Sequence, residues 1–130
     1  SQYQAVLAVA HIPPPASLED VLTDSTSPRR IVALDGISNA GNVGQIVRNA
    51  AAFGLDALIC GATTAHPYVR WAVHASMGTL FQMPVVGPLS LHPTLLSLKQ
   101  QGFRCVAAHA RDDARPLWET DFSGDVCLVM

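Results

Sequence analysis

The stretch that decides the fold runs from Leu34 to Gly54 and reads LDGISNAGNVGQIVRNAAAFG. With the apolar residues 31–33 before it, this stretch predicts a buried strand over residues 31–35, a glycine-rich loop, and a helix from Val43 to Phe53. Asn42 is a natural N-cap for that helix, and Gly54 suits the left-handed residue that ends one. A loop that opens onto a helix N-terminus favours binding of an anion such as phosphate.

Outward from this stretch, apolar strand-like segments alternate with amphipathic ones. Further strands are predicted at residues 57–60, 83–86, 103–108 and 126–130, and further helices at residues 66–77 and 91–101. This alternation predicts an α/β fold with a mostly parallel, doubly wound sheet and helices on both faces. Pro84 predicts an edge position for the third strand. Residues 1–30 are interpreted as a strand, at residues 5–10, and a linker; residues 31–130 form the main domain.

Composition narrows the class of protein. The 130 residues suit one domain, and 49% apolar with 14% charged residues excludes intrinsic disorder. No signal peptide and no apolar run of membrane-spanning length is visible, and the three cysteines lack metal-ligand spacing, so a reduced, cytoplasmic protein without a membrane or a metal is expected. The net charge is −2, but seven of the eight basic residues are Arg, which suits bidentate phosphate binding.

Arg48 adds a cation to the glycine-rich loop. It is expected about one turn into the helix, where its side chain can point back toward the loop, and Gly41 and Gly44 allow a backbone or a ligand to approach closely. A purely structural turn is an open alternative. A dinucleotide site is another, although the full Gly-x-Gly-x-x-Gly pattern is missing, and no Gly-Lys-Ser/Thr loop is present.

Two segments together resemble a known family. Asn42-Val43-Gly44 with Arg48 and the following Ala-rich Phe53-Gly54 is similar to the first motif of the SpoU (TrmH-like) RNA 2′-O-ribose methyltransferases of the SPOUT superfamily. Residues 75–85, with Ser76 and Gly78 before Pro84, are similar to the second motif. Asn39-Ala40 stands where many members have Asp-Pro.

The resemblance implies a knotted α/β domain that works as a homodimer. It further implies S-adenosylmethionine as methyl donor, a ribose 2′-hydroxyl of tRNA or rRNA as acceptor, and no metal. By position, Asn42 and Arg48 are the expected catalytic residues, and both are expected to contact RNA together with Gly44. Since arginine keeps its proton at a pKa of roughly 12.5–13.8, Arg48 is expected to hold a phosphate and stabilise the developing alkoxide rather than act as a base.

Further site residues are expected outside the motif. His109, with Ala108 and Met130, is interpreted as cofactor-binding because ligands bind at the carboxyl ends of strands in such sheets. Arg70 beside Trp71 is a candidate RNA contact, since a cation and an aromatic ring suit phosphate and base; a buried Trp71 with an exposed Arg70 is the alternative.

The sequence also bears on completeness. The family's third motif and knotted tail are expected to follow Met130, so the chain is interpreted as truncated, with an apolar sheet face exposed. Two other functions stay open: a non-catalytic RNA-binding or scaffold module, and a dinucleotide-binding oxidoreductase fragment.

Overall fold

The computed structural model describes residues 8–24, 26 and 28–130, which form a parallel sheet with helices on both faces. The strands of this described part are β1 (Arg30–Leu34), β2 (Ala57–Gly61), β3 (Val85–Leu89), β4 (Arg104–Ala107) and β5 (Val126–Val129). The α-helices are α1 (Leu18–Asp24), α2 (Ala40–Ala52), α3 (Arg70–Ala75) and α4 (Leu91–Gln100), and 3₁₀ turns lie at Thr79–Gln82 and Leu117–Glu119.

The strand order is β3-β2-β1-β5-β4, and every neighbouring pair is parallel. From the central strand β1, the chain first builds outward through β2 to β3, and then crosses to β4 at the opposite edge before β5 fills the gap. The order of strand addition therefore reverses between β1 and β5. In open α/β sheets, the crevice at such a switch point is where ligands bind.

Two apolar clusters bury the two faces of the sheet, because successive strand side chains point to opposite sides. Val32 and Leu58 pack under α2 with the helix residues Val43 and Val47. On the other face, the neighbouring strand residues pack with side chains of α1 and α4: Val21, Ile31, Ala33, Ile59, Leu98 and Cys127. The predicted doubly wound sheet with helices on both faces is confirmed.

One half of the α2 face carries no helix in the described part of the chain. Val106 and Leu128 lie in the same cross-sheet row as the buried Val32, yet both are only half-buried. Nearby on the chain, the side chains of Leu117 and Trp118 are 70% and 85% exposed. An apolar sheet face is therefore partly exposed, as the sequence predicted.

Several predicted elements differ from the structure. The helix expected at residues 66–77 begins only at Arg70, because the residues from His66 to Val69 form a turn instead. The third strand begins at Val85, after Pro84, and its position at the sheet edge confirms the prediction from that proline. The N-terminal strand expected at residues 5–10 is absent at residues 8–10, and residues 5–7 lie outside the described part.

An ion pair joins the start of β1 to the loop before β5. The Arg29 guanidinium donates from Nε and Nη2 to Asp125 Oδ2 at 2.9 and 2.5 Å, and the Arg29 amide donates to Asp125 Oδ1 at 2.7 Å. The Arg29 guanidinium carbon (Cζ) also lies 4.7 Å from the ring centre of Phe103. These hydrogen bonds lower the pKa of Asp125 below its usual range. Within the described residues, no helix is both long and apolar enough to span a membrane.

Candidate functional site

The loop after β1 is held in place by the loop after β2. Thr64 Oγ1 donates to the carbonyl oxygen of Leu34 at 2.8 Å and accepts from the amide of Gly36 at 3.1 Å. One residue on, the Ala65 amide donates to Ile37 O at 2.8 Å. A single hydroxyl thus satisfies both a donor and an acceptor at the sheet edge, and the path of the loop into α2 is fixed before the helix begins.

The N-cap of α2 is Asn39, and the prediction of Asn42 in that role is wrong. The Asn39 side chain accepts from the Asn42 amide at 3.0 Å, so Asn42 is the donor of the capping bond and lies within the first helical turn. Both residues are asparagines that could cap a helix. The loop held by Thr64 places Asn39 at the capping position. The helix therefore starts at Ala40, three residues earlier than expected.

Gly44 lies where α2 touches α3. A Cβ added to Gly44 would stand 2.2 Å from the carbonyl oxygen of Ala72 and 2.7 Å from Ala75 Cβ. The sequence predicted that Gly44 lets a backbone or a ligand approach closely, and in the structure the backbone of α3 makes that approach. Gly44 is buried, and this packing accounts for the glycine by itself; a contact of Gly44 with RNA stays a prediction.

Arg48 and Asn42 are both exposed on α2. Because α2 begins at Ala40, Arg48 lies more than two turns into the helix rather than one, about 12 Å along the axis from its first residue. Asn42 precedes it by six residues, which places the two side chains roughly 120° apart around the axis. Arg48 forms no hydrogen bond or ion pair with another described residue, so nothing in the described part of the chain occupies its guanidinium.

The side of α2 that carries Arg48 is defined by its packing. Arg48 follows Gly44 by one helical turn and so projects from nearly the same side, which is the side against α3. The guanidinium therefore emerges beside the α2–α3 contact.

Ala108, His109 and Met130 lie at the carboxyl edge of the sheet, as expected. The Ala108 amide donates to Val129 O at 2.8 Å, and the Met130 carbonyl accepts from the Asp35 amide at 2.8 Å. Ala108 and His109 line an open cavity of about 860 Å³ along β4, whereas Met130 is not among its lining residues.

On α3, Arg70 and Trp71 are both exposed, and the Trp71 side chain is 72% accessible while Ala72 beside it is 1% accessible. The structure therefore decides against the alternative in which Trp71 belongs to the core. His74, four residues after Arg70, is exposed as well, so a basic and aromatic surface faces away from the sheet.

The cysteines have the chemistry of core residues. Burial raises the pKa of Cys60 to about 11 and that of Cys127 to about 12. Cys105 is half-buried opposite Cys127 on the neighbouring strand, and burial raises its pKa too. No cluster of potential metal ligands occurs among the residues that the structure describes.

Sequence reasoning missed Asn39 and Thr64. Asn39 could have been identified from the sequence, because an asparagine directly before a helical segment, here one that begins at Ala40, is a candidate N-cap. Thr64 carries none, because its two partners lie about 30 residues earlier in the chain and only the parallel pairing of β1 with β2 brings them together.

Comparison with known proteins gives consistent results. The family described as SpoU rRNA Methylase matches residues 29–130. A protein of Mycobacterium bovis described as an uncharacterized tRNA/rRNA methyltransferase is 34% identical over 116 residues, which is 89% of this chain and 39% of that protein. The 23S rRNA (guanosine(2553)-2′-O)-methyltransferase RlmP of Bacillus subtilis is 29% identical over 98% of this chain and 47% of its own length.

Solved structures show the same fold. The SpoU methyltransferase AviRb of Streptomyces viridochromogenes superposes with a TM-score of 0.77 at 24% identity, covering 89% of this chain and 46% of that one. The rRNA methyltransferase of Sinorhizobium meliloti with bound AdoMet gives 0.77 at 26% identity, over 90% and 44%. The chain spans less than half the length of these relatives.

Proposed function

The chain belongs to the SpoU rRNA methylase family, and on that premise we propose that its protein transfers a methyl group from S-adenosylmethionine to a ribose 2′-hydroxyl of tRNA or rRNA in the cytoplasm. The observation that carries the proposal is the exposed guanidinium of Arg48 on the first-motif helix, beside the α2–α3 contact and without a partner among the residues that the structure describes.

The residues present fit one wall of a cofactor site. Ala108 and Leu128 offer apolar surface in the cavity along β4, and His109 adds a polar ring at its rim. Met130 follows β5, which borders the switch point between β1 and β5, and Ala108 and His109 follow β4, one strand further out; ligands of such folds bind at this carboxyl edge of the sheet. S-adenosylmethionine would supply an electrophilic methyl group on a sulfonium. The relatives are more than twice as long as this chain, and their additional segments could supply further contacts to the cofactor.

Arg48 would act on the acceptor. Transfer to a hydroxyl oxygen places negative charge on that oxygen as its proton leaves, and a fixed cation stabilises that charge. A guanidinium can also bind a neighbouring phosphate through two parallel (bidentate) hydrogen bonds. Asn42 projects from a different side of α2, so we assign it to RNA contact at the helix N-terminus, where free amides favour a phosphate.

A homodimer would bring these parts together. Arg48 and Asn42 flank the solvent-facing side of α2, away from the buried Val43 and Val47. A second copy packed over this side would enclose the guanidinium and exclude water, which strengthens its electrostatic effect.

The test is methyl transfer from labelled S-adenosylmethionine to bulk rRNA and tRNA. Arg48→Ala should lower the rate by about 10²-fold or more, whereas Arg111→Ala, which removes an exposed arginine paired with Asp113, should leave it unchanged. An acceptor RNA with 2′-deoxyribose at the methylated position should receive no label. Undiminished transfer in Arg48→Ala, or no transfer by the native protein, would overturn the proposal; RNA binding without transfer would indicate a non-catalytic RNA-binding module.

A further inference from the structure

The surface of α3 formed by Arg70, Trp71 and His74, here called the α3 surface, is unusual for an exposed helix. Trp71 presents 72% of its side chain to solvent although the adjacent Ala72 is fully packed. A large ring in this position leaves most of its apolar area in water, and its flat faces are available for stacking.

Charge distinguishes this surface from the rest of the chain. All ten acidic residues lie at or before Asp56 or at or after Asp112, and none occurs between them. Arg70 and His74 stand four residues apart on one side of the helix. Arg70 is 14 residues from Asp56, the nearest acid in sequence, and it forms no ion pair with another described residue, so its charge is available to a polyanion although the net charge of the chain is −2.

The helix that carries the α3 surface packs against the helix of Arg48. The contact of Gly44 with Ala72 and Ala75 joins the helix of Arg48 to the helix of Trp71. Packed helix axes are typically about 8–10 Å apart, and a glycine at the contact favours the short end of that range. A few nucleotides of single strand would span from one side chain to the other.

We propose that the α3 surface binds single-stranded RNA flanking the target nucleotide, with a base stacked on Trp71 and a phosphate bound by Arg70. The inference rests on the proposed function for the identity of the target and adds the RNA segment that this side of the protein recognises. Stacking on an aromatic ring tolerates any base, so the surface contributes affinity and register rather than sequence selectivity.

Trp118 provides a matched control. Its side chain is 85% exposed, but it lies next to Glu119 and close in sequence to Asp121. In the Trp118→Phe variant, Trp71 is the only indole of residues 1–130, and titration with a uridine oligoribonucleotide of about 12 nucleotides should quench its fluorescence. The Trp71→Phe variant keeps Trp118, and its fluorescence should not change.

Affinity gives the second readout. Trp71→Ala should weaken binding of the same oligonucleotide roughly tenfold, while Trp118→Ala should not weaken it. Equal affinity in both alanine variants, or quenching of Trp118 alone, would overturn the inference. So would a Trp71→Ala variant that changes only the sedimentation behaviour of the protein, since that result assigns the surface to a second copy.

Methyl transfer separates this inference from the function on which it rests. If both hold, Trp71→Ala raises the KM for RNA and spares kcat, whereas Arg48→Ala lowers kcat. If RNA quenches Trp71 but the native protein transfers no methyl group, the α3 surface stands and the methyltransferase assignment falls. If transfer depends on Arg48 while Trp71→Ala binds and reacts normally, the α3 surface falls and the methyltransferase stands.

Discussion

The carbonyl oxygen of Ala72 in α3 lies 2.2 Å from the point where a Cβ on Gly44 of α2 would stand. No side chain, however small, fits there without moving a helix backbone. The glycine of the first motif therefore sets how closely the helix of Arg48 approaches the helix of Trp71, and with it the geometry of the proposed RNA surface.

Gly44→Ala should destabilise the protein by about 1–3 kcal/mol through overpacking, although alanine favours a helix by about 1 kcal/mol over glycine. Gly41→Ala is the comparison: its Cβ would meet Asn39 Oδ1, the capping oxygen, at 3.1 Å, which a shift of a few tenths of an ångström relieves, so the variant should lose less stability than Gly44→Ala. Urea denaturation followed by circular dichroism measures both. A more stable Gly44→Ala variant would contradict the packing described.

Asp125→Asn removes the carboxylate that accepts the hydrogen bonds of Arg29. It should lower the free energy of unfolding by about 2 kcal/mol, which lies in the range for a hydrogen bond to a charged group. Asp113 forms an exposed ion pair with Arg111, in which the Arg111 side chain is 62% accessible and the Asp113 side chain 72%. Asp113→Asn should therefore lower the free energy of unfolding by less than about 0.5 kcal/mol. The free energy of unfolding of each variant at pH 7 decides between these outcomes.

The same pair predicts a pH dependence. Folding lowers the pKa of Asp125, so its contribution to stability is complete above the unfolded-state pKa of about 3.9 and is lost as the pH falls through the lower, folded-state pKa. The native protein should therefore lose more stability than Asp125→Asn below about pH 4. Parallel acid limbs for the two proteins would refute this role.

Thiol reactivity should follow burial. At pH 8, a thiol reagent should label the half-buried Cys105 first, since the pKa values of Cys60 and Cys127, about 11 and 12, keep those thiols protonated. Mass spectrometry of timed samples resolves the order, and denaturant should make all three reactive. Labelling of Cys127 as fast as Cys105 in the folded protein would contradict the structure.

Thr64→Val should release the loop after β1, because valine keeps the shape but loses both hydrogen bonds of the hydroxyl. We expect a loss of about 1 kcal/mol and faster hydrogen exchange at the Gly36 amide. Thr64→Ser retains the hydroxyl and should restore slow exchange; equal exchange rates in all three proteins would show that the tether is unimportant.

The alternation of strands and helices was readable from the chain, as was the left-handed Gly54, whose φ is +68°. Local features carry such information: apolar periodicity, a glycine after a helical run, and Pro84 before an edge strand. The family resemblance was readable for the same reason, since its motifs are contiguous.

Tertiary structure decided which of two asparagines caps α2, why position 44 is glycine, and on which side of the protein Trp71 lies. Each answer depends on a partner distant in the chain: Thr64 holds the loop that delivers Asn39, and α3 occupies the space beside Gly44. Local sequence offers such residues several acceptable states of similar free energy, and only contacts made when strands β1 and β2 pair and α2 meets α3 select one of them.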